Sequence, residues 1–148
     1  VDMRPSTFER FAQHPFGTLG LWSTASDYAR LAQMLLRGGE LDGVRLLGRK
    51  TVELLARNHL PPGITQGGAP GTMGPGEGYG LGVSVTLDPA AAGNLGSVGA
   101  FGWSGAATTW FTVDPAEKLV AVFMAQQYPY DPRLLSEFQT LVYQAIAQ

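Results

Sequence analysis

The sequence predicts an α+β fold, an antiparallel sheet of three to four strands packed by helices. Three observations predict it. Apolar residues recur with a helical period over 24–37 and again over 131–145. Between those stretches, from Tyr79 onward, the period changes to two. The last two apolar runs are joined by Asp114-Pro115-Ala116-Glu117, a turn signal too short for anything but an antiparallel return. At 148 residues the expectation is one domain over 1–148, and 45% apolar with 15% charged residues reads as globular.

The elements follow in order. Residues 1–20 show no clear period; Phe8, Phe11 and Phe16 suggest an irregular arm that packs against something. Thr24 is a fitting N-cap, with Asp27 three residues on as a variant capping box. Tyr28, Leu31, Ala32 and Leu35 then define the buried face of a helix that Gly38-Gly39 stops. Residues 40–47 read as a hairpin turning at Asp42-Gly43, a type I′ pair. A second helix is expected over 49–58, with Val52, Leu55 and Ala56 on one face and Pro61-Pro62 ending it. Residues 61–78 hold eleven Gly or Pro among 18 and read as a flexible loop, functional or simply irregular.

The strands come next. Tyr79, Leu81, Val83, Val85 and Leu87 alternate with small or polar residues, one strand with one apolar face. Gly80 and Gly82 would let something approach its other face closely. Further strands are expected over 98–103 and 108–113. The unbroken apolar run of 119–126 suggests a central strand covered on both faces. Asp131-Pro132 supplies N-cap and N1 of a closing helix, with Leu134, Phe138, Leu141, Val142 and Ala145 as its stripe.

Composition excludes several function classes. Ten basic against twelve acidic residues give a net charge of −2, and no basic block exists, so nucleic acid and anionic membrane have no electrostatic support. The longest apolar run, Leu119 to Ala125, is seven residues, far short of a membrane span. With no cysteine there is no disulfide, thiol nucleophile or thiolate metal site, and the compartment stays undetermined. His14 and His59 lack acidic or histidine neighbours at ligand spacing, so no metal is expected. The glycines around Glu77 precede a strand, not a helix, so neither a dinucleotide nor any other cofactor is expected. Val1, not Met, opens the chain, the expectation for a processed product or a fragment.

Chemistry concentrates in Gly99 to Ala106. Gly and Ala there expose backbone N–H groups that can stabilise an oxyanion. The bland alternative is a glycine-rich strand crossover holding a Trp in the core, with the Ser104 hydroxyl hydrogen-bonded within the sheet. Gly102-Trp103-Ser104-Gly105-Ala106 also spells G-x-S-x-A, but a nucleophile elbow needs strand–turn–helix context and a later histidine, and no histidine follows Ser104.

Beyond single motifs, a long ordered set of residues resembles a known family. It comprises the stretch Gly20 to Gly43, Leu46-Leu47, Thr51-Val52-Glu53-Leu54, Asn58-His59-Leu60, Tyr79 to Gly82, Gly102 to Ala106 and Val113-Asp114-Pro115. Together they resemble the C-terminal portion of the serine β-lactamase-like family, in particular its class C β-lactamase and family VIII carboxylesterase branch. The resemblance implies an active site of three elements: S-x-x-K with nucleophile and base, a tyrosine motif such as Y-x-N, and K-T-G or a variant. Only the third maps here, onto Trp103, Ser104 and Gly105, with the Ala106 N–H as one oxyanion donor. Trp103 in place of Lys is similar to the esterase-like members. The two lysines are preceded at three residues by Leu47 and Pro115, and no tyrosine has Asn or Ser two residues on, so nucleophile, base and tyrosine are missing from this chain.

The resemblance also implies a sheet whose two N-terminal strands are missing. The strand at 119–126 is then expected to carry an apolar edge covered by a missing N-terminal portion, a second copy, a partner chain or residues 1–20. The leading expectation is part of a carboxylesterase-like serine hydrolase that opens small ester or amide substrates through an acyl-serine. The alternatives are a non-catalytic binding or interaction module of the same fold, and a compact hydrolase using Ser104 or Ser23.

Overall fold

The computed structural model describes residues 21–61 and 73–146. The expected arm over 1–20, His14 and most of the expected loop over 61–78 lie outside the described residues.

Local signals place the first elements. Helix α1 spans Ala25–Leu36. Thr24 caps it: its Oγ1 accepts from the Asp27 N–H at 3.1 Å and donates to the Asp27 carboxylate at 2.9 Å. The Gly39 N–H returns to the Met34 carbonyl at 2.9 Å and closes the C-terminus. Strands β1 (Glu40–Leu41) and β2 (Val44–Arg45) form the hairpin, with Asp42 at φ 52° and Gly43 at φ 78°, the positive pair a type I′ turn needs. Helix α2 spans Arg49–Leu55 and stops three residues earlier than the proline pair suggests. Asn58 is the reason: its Oδ1 accepts from the N–H groups of Leu60 and Tyr79, turning the chain toward the sheet.

The main sheet has five antiparallel strands in the order β3 (Glu77–Tyr79), β4 (Ser84–Thr86), β5 (Phe101–Gly105), β6 (Thr109–Asp114) and β7 (Leu119–Met124). The count exceeds the expected three to four because the single strand read over 79–87 is two. The Gly80 N–H donates to the Val83 carbonyl at 2.8 Å and Gly82 takes φ 86°, so the chain reverses there. Leu81 and Leu87 are consequently exposed, while Val83 and Val85 are buried. Gly80 does serve close approach, as its composition suggested, but the approaching group is the Leu55 carbonyl at the end of α2. The strand expected over 98–103 begins at Phe101, since Val98 is exposed and Gly99 turns at φ 88°. A one-turn helix α3 (Pro89–Ala92), absent from the sequence reading, is capped by Asp88, whose carboxylate accepts from the Ala90 and Ala91 N–H groups.

β7 is a margin of the sheet among the described residues, not a central strand as its composition suggested. The other half of the expectation, cover on both faces, holds: helices lie on each side of the strand. Phe111 and Val113 are buried and Val120 and Val122 packed in the core that Ala32, Met34 and Leu35 of α1 and Val52 of α2 complete. On the opposite face Phe138 of helix α4 (Pro132–Gln144) meets the rings of Trp110 and Phe123 at 6.1 and 4.7 Å. Asp131 caps α4 as expected, accepting from the Arg133 N–H at 2.9 Å. Two apolar stripes are rotated from their predicted positions. In α1, Met34 is buried and Leu31 is exposed; in α4, Leu135 is buried while Leu134 and Leu141 are exposed. Among the described residues no helix is long and apolar enough to cross a membrane.

Candidate active site

β5 is paired unevenly. All five of its residues face β6, from Phe101 opposite Val113 to Gly105 opposite Thr109. On its other side β4 reaches only Phe101 and Gly102. Trp103, Ser104 and Gly105 therefore have no β4 residue opposite them, and the backbone is open there. This segment leads into a hairpin turn and another strand, not into a helix, which is the context that excludes a nucleophile elbow.

The turn carrying Ala106 is pinned from beneath by Thr108. Thr108 is fully buried at φ 60°, and its N–H donates to the Gly105 carbonyl at 3.0 Å. Its hydroxyl donates to the Gln127 carbonyl at 2.9 Å and accepts from the Asp131 N–H at 3.0 Å. A β-branched residue at positive φ is strained, so such conformations persist only where surrounding bonds fix them. Here two bonds tie the turn to the segment that joins β7 to α4. Nothing in the sequence marks Thr108, because its partners are 19 and 23 residues away.

All four residues singled out from the sequence, Trp103, Ser104, Gly105 and Ala106, line one open cavity of about 580 Å³ between the end of β5 and the start of α4. Tyr130, Ser136 and Gln139 close its α4 side. Trp103 is half-buried, packs in part on the core and meets the Tyr79 ring edge-on at 5.4 Å. Trp110 is half-buried too and lines the cavity. The Ser104 hydroxyl makes no hydrogen bond to the described residues. The sheet hydrogen bond expected of it is made instead by Ser84, whose Oγ donates to the Gly102 carbonyl at 3.0 Å. Glu77, which no sequence pattern marks, lines the same cavity and accepts the Gly74 N–H at 2.8 Å.

A smaller cavity of about 60 Å³ lies deeper under α4, beside Thr112 and Tyr143. Next to it Asp114 is completely buried. Its carboxylate accepts from the N–H groups of Ser97, Ala116 and Glu117 at 3.0, 3.1 and 3.3 Å and from the Tyr143 hydroxyl at 2.9 Å. Burial pushes this carboxyl up, but the hydrogen bonds outweigh it and hold the group below its ordinary value. Burial, and then the Asp114 charge, push the Tyr143 phenol far above its ordinary value. Asp114 is thus a structural anchor of α4. His59 is equally local, its Nε2 lying 2.9 Å from the Leu54 carbonyl. Among the described residues no group of three His, Asp or Glu could hold a metal ion.

An antiparallel sheet between two helical layers is a fold the chain shares with serine β-lactamase-like proteins. A profile of the family described as Beta-lactamase matches residues 2–144, and the chain belongs to that family. The chain is similar to Protein Rv1367c of Mycobacterium tuberculosis (strain H37Rv), 40% identical over 116 residues, covering 74% of this chain and 28% of that relative. Unliganded simvastatin synthase (LovD) from Aspergillus terreus is 25% identical, with a TM-score of 0.68 over 86% of this chain and 36% of that one. EstCE1, described as a hydrolase with promiscuous acyltransferase activity, is 24% identical, with a TM-score of 0.66 over 82% of this chain and 30% of that one. The chain therefore spans between a quarter and two fifths of the length of these relatives.

Proposed function

We propose that this chain is the C-terminal portion of a carboxylesterase-type serine hydrolase, which opens small ester or amide substrates through an acyl-serine. The nucleophile and its base come from outside these residues. One observation carries the reading. The four residues expected to form the third motif and oxyanion position sit on an unpaired strand margin facing a cavity, while neither lysine of the chain has a serine three residues before it. In this reading the Ala106 N–H, held by the Thr108 turn, supplies one of two donors to the developing oxyanion. Trp103 stands where β-lactamases place a lysine, which favours esters over anionic lactams. The fold shared with EstCE1 supports the same class.

The absent S-x-x-K motif also favours a second reading, a non-catalytic module of this fold that binds a partner or ligand. A fluorophosphonate probe separates the two. Intact mass spectrometry is run on this chain and on any polypeptide that completes it. The hydrolase reading expects a label on the completing polypeptide and none on this chain. A label mapped to Ser104 or Ser23 would show a working nucleophile here, and no label anywhere would leave the binding module.

A further inference from the structure

We infer that the cavity beside Ser104 selects small esters bearing a positive charge, with Glu77 as the residue that sets this preference. The inference rests on the hydrolase reading and names its substrate class.

Charge is the first observation. Among the described residues the cavity wall holds one carboxylate, Glu77, and no lysine, arginine or histidine. The strand register places Glu77 opposite Thr86, and Ser84, two residues from Thr86, opposite Gly102. Side chains alternate along a strand, so Glu77, Ser84 and Ser104 belong to one side of the sheet. No ion pair among the described residues involves Glu77; the five that exist are made by Asp42, Glu40, Glu53 (two) and Asp131. Among the described residues its carboxylate accepts one hydrogen bond, from the Gly74 N–H to Oε2, and is paired with no cation.

The aromatic walls are the second observation. Trp110, opposite Ser104 in the β5–β6 register, and Tyr130 line the same space. Indole and phenol faces attract ammonium groups and give nothing comparable to carboxylates. A half-buried carboxylate beside such rings attracts a cation and repels an anion more strongly than either would be felt in water.

The test is equilibrium binding to the 148-residue chain, read by tryptophan fluorescence. The probes are butyrylcholine, its uncharged carbon isostere, and the anionic monobutyl succinate. Butyrylcholine is expected to bind at least about tenfold tighter than the isostere, and the anion weakest. Glu77→Gln keeps an acceptor for the Gly74 N–H and is expected to bring the first two within about twofold. Raising the salt concentration on the unaltered chain is expected to narrow the same gap, independently of any variant. Equal affinities, a preference that survives Glu77→Gln, or no saturable binding of any probe would overturn the inference. A cation preference without serine labelling on the completed protein would support the cavity assignment and overturn the hydrolase reading. Labelling without a cation preference would do the reverse.

Discussion

Replacing Asp114 with Asn keeps the shape of a buried anchor and removes its charge. In the native protein four donors converge on the carboxylate. In the variant, Oδ1 still accepts from Ala116 and Glu117, and the Tyr143 hydroxyl can rotate to accept from the new amide. Ser97 has no such remedy, because its N–H then faces an N–H. A hydrogen bond to a charged group contributes about 1.5–3 kcal/mol, and the bonds that remain weaken when the charge goes. The expected destabilisation is about 2–4 kcal/mol at neutral pH. Tyr143→Phe, which removes one donor and leaves the charge with three backbone N–H groups, is expected to cost less, about 1–2 kcal/mol. The pH dependence has a definite sign. The Asp114 carboxyl is held below its ordinary value in the folded state. Its contribution is therefore complete above the unfolded value of about 3.9 and is lost as pH falls through the lower folded value. Urea unfolding followed by tryptophan fluorescence measures both effects. The difference between native and Asn proteins should shrink as the pH drops below about 4. A neutral-pH difference under about 0.5 kcal/mol, or one unchanged in acid, would refute the anchoring role.

Other expectations test the site and its frame. A Cβ at Gly102 would run into the Phe111 carbonyl, so Gly102→Ala should destabilise by about 1–3 kcal/mol in the same urea assay. Ser104→Ala should change stability by less than about 0.5 kcal/mol, since its hydroxyl makes no bond to the described residues. Thr24→Ala removes the cap of α1 and should cost about 1 kcal/mol, read by urea unfolding monitored by circular dichroism. In the completed hydrolase, Ala106→Pro removes one oxyanion donor and should lower kcat about 100-fold or more while probe labelling of the nucleophile persists in slower form.

Much of the frame was legible because its causes are local. Thr24, Asp42-Gly43 and Asp131-Pro132 each act within three or four residues, and each does in the structure what its chemistry requires. The alternation from Tyr79 misled because Gly80 and Gly82 reverse the chain inside it, a choice decided by the distant Leu55 carbonyl. Leu31 and Leu134 misled because an apolar residue at helical spacing marks a face, not the width of the layer that covers it. The segment Trp103 to Ala106 could be found by its small residues and by family resemblance. Thr108 and Glu77 could not, and Asp114 was marked only as a turn and family residue, its anchoring of α4 hidden because Ser97 and Tyr143 reach it only in the fold.

The margin at β7 and the opening at β5 connect the fold to the proposed function. β7 packs against helices on both faces yet pairs with β6 alone among the described residues. An apolar strand in that position invites pairing with another strand. Chain supplied at that edge would extend the sheet, and the family relatives are long enough to provide it, since this chain spans 28% of one and 36% of another. β5, by contrast, is open only beyond Gly102, which stands opposite the first residue of β4. Chain completing the protein at β7 would leave that second opening untouched, two strands away on the same sheet. The two margins therefore have separate expected occupants: the rest of the protein at β7, and substrate at Trp103 to Ala106. A completing polypeptide that blocked the fluorescence response of the cavity to butyrylcholine would contradict this division. One that left the response intact and brought a labelled serine would establish it.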